Sequence, residues 1–111
     1  MDGIQLNFMK LLQQAMFIVC TLLATGTITS AQDKAKIDAG EMVYEQNCAE
    51  CHGEKLRSSG AVPDLRKMPA DARAVFDETV KNGRGQMPSW EGQLTDENFD
   101  QIWAYIRSRA Q

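Results

Sequence analysis

Apolar residues along the chain fall into one unbroken run and three stretches with helical spacing. The run is residues 15–24 (AMFIVCTLLA), which has no polar face. The first periodic stretch places Gly40, Val43 and Tyr44 on a helix for which Asp38 is the expected N-cap, and which continues through Gln46 toward residue 48. The second covers residues 71–82, with Ala72, Val75, Phe76, Thr79 and Val80 on one face and a stop at Gly83. The third opens on Thr95 as N-cap, with Asp96 and Glu97 in the first turn, where the helix dipole favours negative charge. Its apolar face is Phe99, Ile102, Trp103 and Ile106, and Arg107 and Arg109 complement its C-terminal end. No segment alternates as a strand would. Residues 53–69, between the first and second helices, form a long irregular loop, and a loop of that length in a small domain needs a reason. The expected fold class is all-α.

The apolar run follows Lys10 and the amino terminus and precedes the small, polar stretch TGTITSA. That order is the pattern of a secretory signal peptide. The run falls short of the ~20 residues that cross a hydrocarbon layer, so a permanent anchor is the weaker reading. Cleavage after Ala31 puts Thr29 and Ala31 at the small-residue positions, whereas a cut after Ala24 would put bulky Leu22 there. Cys20 sits behind Ile18 and Val19 inside the run, which argues against a lipidated terminus. The expected organisation is a leader at residues 1–31, one domain at residues 32–111, and export to the periplasm with no stable membrane anchor afterwards.

Removing the leader takes away Asp2 and Lys10, one charge of each sign, so the formal net charge stays at −3. A mildly acidic domain is a poor partner for nucleic acid. About 80 residues remain, close to the lower limit for a self-sufficient core. Small exported domains usually add disulfides, but this region holds only Cys48 and Cys51, and a bond between them would close a tiny loop. A cofactor is the better candidate for what completes the core.

Residues 48–52 read Cys-Ala-Glu-Cys-His, the C-x-x-C-H pattern of covalent haem attachment. Two thiols at this spacing add to the two vinyl groups on one porphyrin edge, and the adjacent imidazole of His52 then falls under the iron. A thioredoxin-like dithiol would need a βαβ frame, and the flanks here are helical. A zinc site would need further Cys or His ligands, and residues 32–111 have none. His52 is the only histidine, so the second axial ligand must be of another type, and methionine is the usual alternative. Met42 lies six residues before Cys48 on the same helix, cannot reach the other haem face, and is expected to pack in the core. Met68 and Met87 both precede proline. Met87 is selected because Gly83 and Gly85 let the backbone lie close to a porphyrin and Pro88 stiffens the loop that presents the sulfur. Met68 is expected to pack at the edge of the pocket. Pro63 and Leu65, in the loop that passes around the haem, are expected to form part of its wall, with Trp90 a further pocket residue.

Gly40, Tyr44, the C-A-E-C-H-G run, Pro63-Asp64-Leu65, the G-Q-M-P-S-W run at residues 85–90 and the closing I-W-A-Y-I at residues 102–106 together resemble class I cytochromes c. The resemblance covers all of residues 32–111. It implies three or more helices wrapped around one covalent haem c, with Gly40 and Tyr44 crossing the last helix near Tyr105. It further implies that the Pro63 carbonyl accepts a hydrogen bond from the free ring nitrogen of His52, which would fix its tautomer. Within the family, residues 60–66 and 85–90 look most like the cytochrome domain of pyrroloquinoline-quinone (PQQ)-dependent alcohol dehydrogenases. That likeness implies a PQQ-dependent dehydrogenase as electron donor and a terminal oxidase as acceptor.

The resulting expectation is an electron carrier with His52 and Met87 as axial ligands, and not an enzyme. The alternatives are a small cytochrome subunit of a dehydrogenase or oxidase complex, or a haem enzyme or ligand sensor with an open sixth position. This chain has no distal histidine to serve the last of these.

Overall fold

The first core helix begins well before the cap expected at Asp38. The computed structural model describes residues 2–22 and 27–111, so the end of the apolar run and the start of the small-residue stretch, residues 23–26, lie outside it. Helix α1 spans Asp2–Leu22 and α2 spans Thr27–Asn47. Neither glycine nor proline interrupts residues 27–39, and the Asp38 carboxylate is taken up as an acceptor for Lys34, four residues earlier. A pair at i,i+4 supports a helix interior, and it leaves Asp38 no capping role.

The chain divides into two units, one ending at Asp33 and one running Lys34–Gln111. In the first, Ile4, Leu6, Phe8, Met9, Leu11 and Leu12 are all exposed. No helix among the described residues is long and apolar enough to cross a membrane.

The second unit is all-helical. After α2 come the single-turn helix α3 (Ala49–His52), 3-10 turns at Glu54–Leu56 and Leu65–Lys67, α4 (Arg73–Asn82) and α5 (Asp96–Ser108). Among the described residues there is no strand, only isolated bridges at Arg84↔Met87 and Glu91↔Leu94. The core is Tyr44, Leu56, Phe76, Val80, Phe99, Ile102, Tyr105 and Ile106.

Two contacts set the frame. At Gly40 a Cβ would lie 1.9 Å from the Gln101 carbonyl oxygen and 3.0 Å from the Tyr105 Cβ, so only glycine lets α2 and α5 approach this closely. One turn on, the rings of Tyr44 and Tyr105 meet at 5.6 Å. Helix α4 is joined to α5 by Phe76, which packs on Phe99 and Trp103, and by Arg73, whose guanidinium bonds Asp77 on its own helix and Asp100 on α5 at 2.6 Å.

Helix α5 starts as expected. The Thr95 hydroxyl accepts the Asn98 N–H and the Asn98 side chain accepts the Thr95 N–H, a reciprocal box that satisfies two donors. Helix α4 starts two residues later than expected because residues 69–72 form a turn closed by the Pro69 carbonyl, and no side chain caps the helix. Its buried stripe is narrower than the periodicity suggests: Phe76 and Val80 are buried, and Val75 is 54% exposed. Met42, expected in the core, is 61% exposed, because α2 turns Gly40 and Tyr44 toward α5 and Met42 falls between them on another face.

Candidate functional site

Cys48, Cys51 and His52 lie within one helical turn. The Cys48 carbonyl accepts the His52 N–H at 2.9 Å, while the Cys48 N–H reaches back to the Tyr44 carbonyl at 2.8 Å, so the turn continues directly from α2. Both thiols are free. Cys48 is half-buried against the core and Cys51 is exposed. Burial pushes the Cys48 thiol up to about 11, with the neighbouring Cys51 adding to it, so it stays protonated at neutral pH.

The turn is closed from below by Tyr44. Its hydroxyl donates to the Gly53 carbonyl at 2.7 Å, the buried side chain thereby holding the residue that follows His52. Gly53 has φ 89°, and a Cβ there would meet the Arg57 carbonyl oxygen at 2.1 Å. Lys55 and Leu56 follow with φ 52° and 61°, a left-handed pair that drives Leu56 into the core. The Lys55 N–H is steadied by the Glu45 carboxylate at 2.7 Å.

His52 is half-buried, and burial lowers its pKa, so the neutral imidazole is favoured. Its Nδ1 is sealed from solvent without a hydrogen-bond partner. The Pro63 carbonyl implied by resemblance therefore does not bond Nδ1 in this structure, and Pro63 is exposed. With Nδ1 enclosed, Nε2 is the ring nitrogen left for a metal.

Leu65, Met68, Met87 and Trp90 are all half-buried against the core that also receives Cys48. Leu94 joins them, a contact the sequence reading missed. Met68 is tied to the last helix, since the Arg107 guanidinium donates to its carbonyl at 2.7 Å. Beside it the Arg66 carbonyl accepts the Gln111 N–H at 3.0 Å. Asp64 accepts from the Arg66 backbone and guanidinium, and those bonds hold its carboxyl down at about 2. Met87 occupies a tight reverse turn in which its N–H and carbonyl pair with the carbonyl and N–H of Arg84, both at 3.0 Å.

These residues fit a covalent haem. Two free thiols and an imidazole occupy one turn, one imidazole nitrogen is enclosed, and half-buried apolar side chains from two loops line the same core. They do not fit zinc: among the described residues no group of three or more His, Cys, Asp or Glu converges.

Comparison with known proteins points the same way. The family described as cytochrome c oxidase, cbb3-type, subunit III matches residues 35–106. The quinohemoprotein alcohol dehydrogenase ADH-IIG of Pseudomonas putida is 38% identical over 72% of this chain, which spans only 11% of that protein's length. The CcoP subunit of a cbb3-type cytochrome c oxidase from Azospirillum sp. is 33% identical over 70% of this chain and is covered over 30% of its own length. Cytochrome c6 of Picosynechococcus sp. is 32% identical, with 92% of this chain and 95% of that protein aligned.

Proposed function

The chain belongs to the cytochrome c family of electron carriers, and we propose that it works in the periplasm, passing single electrons through one covalent haem c from a quinoprotein alcohol dehydrogenase to a terminal oxidase. The observation that carries the reading is the single turn in which Cys48, Cys51 and His52 stand together with Nδ1 enclosed. Residues 1–31 serve as the leader, and the exposed apolar side chains of α1 support that role.

Cys48, at the N-cap of α3, and Cys51, within it, would hold the haem through their thiols, each S–H adding across one vinyl group. His52 through Nε2 and Met87 through its sulfur would be the residues that hold the iron. When bound, the haem supplies an iron that alternates between ferrous and ferric. With His52 and Met87 both engaged, the chain would leave no place for oxygen or peroxide to bind, which favours transfer over catalysis. Leu65, Met68, Trp90 and Leu94, half-buried against the core, would help keep water from the bound group, and a low dielectric favours the less charged, reduced state.

The likeness to the dehydrogenase ADH-IIG supports the choice of donor. Stopped-flow mixing of the oxidised protein with a substrate-reduced quinoprotein dehydrogenase tests it. Reduction is expected to depend on ionic strength and to slow more on changing Trp90 or Arg66, in the loops of the pocket, than on changing Arg109 at the end of α5. Reduction no faster than by an unrelated quinol-oxidising donor would remove the specific partnership. The match to an oxidase subunit supports a second reading, a subunit of an oxidase complex, in which case the protein would co-purify stoichiometrically with that complex.

A further inference from the structure

Helix α4 ends at Asn82, and the last carbonyls of a helix have no partners within it. Here two of them, those of Val80 and Lys81, are satisfied by the segment that follows Met87. The Thr79 carbonyl takes the Gly83 N–H at 2.9 Å, the Val80 carbonyl takes the Trp90 N–H at 3.0 Å, and the Lys81 carbonyl takes the Glu91 N–H at 3.3 Å. The Ser89 hydroxyl also donates to the Lys81 carbonyl, and its oxygen accepts weakly from the Glu91 N–H at 3.4 Å. The segment lies hard against Gly83, where a Cβ would stand 2.6 Å from the Met87 carbonyl oxygen, 2.8 Å from the Ser89 nitrogen and 2.9 Å from the Pro88 carbonyl carbon. Gly83 also has φ 75°, which a larger residue would adopt only with strain. Met87 is thus held on one side by its pairing with Arg84 and on the other by the bonds of residues 89–91 to α4, with only Pro88 between.

We propose that the C-terminal carbonyls of α4 anchor the methionine loop and that Ser89 is its positioning residue, setting how readily Met87 leaves the iron. This rests on the reading of Met87 as an axial ligand. Ser89 is exposed, so losing its hydroxyl opens no cavity and its effect is confined to the anchor.

Imidazole binding to the ferric holoprotein reads the anchor directly. Imidazole enters only when Met87 has left, so its apparent affinity scales with the fraction of molecules in which the loop is displaced. Ser89→Ala is expected to bind imidazole roughly two- to tenfold more tightly, the range that loss of one hydrogen bond allows. Ser89→Thr, which keeps a hydroxyl, is expected to return toward the native affinity. Ser108→Ala, which removes a hydroxyl bond to the Tyr105 carbonyl on α5, is expected to leave the affinity unchanged. An unchanged affinity in Ser89→Ala overturns the anchor while the ligand assignment stands. An equal shift in Ser108→Ala overturns the positioning role in favour of general destabilisation. If Met87→Ala binds imidazole no more tightly than the native protein, Met87 is not the ligand, and both readings fall together.

Discussion

Replacing Cys48 and Cys51 together by serine is expected to abolish the folded protein rather than yield a haem-free copy of it. Serine nearly matches cysteine in volume, so the change removes the attachment and little packing. What remains is a small unit whose buried apolar core, among the described residues, is eight side chains. Leu65, Met68, Met87, Trp90 and Leu94 are only half-covered, and a porphyrin face would complete their burial. Without it, the entropy of ordering the chain is not offset. The variant should show no cooperative thermal transition by circular dichroism, and its level in cells should fall by roughly tenfold or more as the unfolded chain is degraded. Recovery of a cooperatively melting, haem-free domain would show that these eight side chains suffice.

The second large effect is expected at Met87. Met87→Ala should lose the sulfur-to-iron charge-transfer absorption of the oxidised protein, because no other donor of that kind is held in the same loop. The potential should fall by on the order of 0.1–0.3 V, part of the roughly 0.8 V range over which axial ligands tune haem. Met68→Ala should keep the band, since the Met68 backbone is pinned to α5 by Arg107. Redox titration and absorption spectra of the two variants make the comparison, and an intact sulfur band in Met87→Ala would sink the assignment.

What the sequence makes legible here is what repeats or what chemistry demands. The face of Phe99, Ile102 and Ile106 is buried as its spacing predicts, and Thr95 caps α5 because its hydroxyl and the first-turn Asn98 satisfy each other. The all-helical class follows from the same periodicity. Three features were not legible because each depends on a partner distant in sequence or on an unusual backbone. Asp38 resembles a cap locally, yet Lys34 claims it inside a longer helix. Met42 and Val75 are apolar at helical spacing, but the partner helices lie toward Tyr44 and Phe76, and both side chains remain exposed. Leu56 is buried only because two consecutive residues take left-handed conformations, for which its sequence carries no glycine or asparagine signal.

At the site, the cysteines and histidine are visible as a motif, whereas the supports around them are not. The bond from Tyr44 to Gly53 spans nine residues, and the hold of α4 on residues 89–91 uses backbone groups that no side-chain pattern reports. Pro63 marks the opposite case: resemblance supplies a partner for His52, and in this structure the enclosed Nδ1 has none.

The most direct test is the absorption spectrum of the purified holoprotein, recorded oxidised, reduced, and reduced under carbon monoxide. A carrier with His52 and Met87 on the iron should show sharp low-spin bands on reduction that carbon monoxide leaves in place. A high-spin ferric spectrum, or bands that shift under carbon monoxide, would show an open sixth position and contradict the assignment of this chain's iron to electron transfer alone.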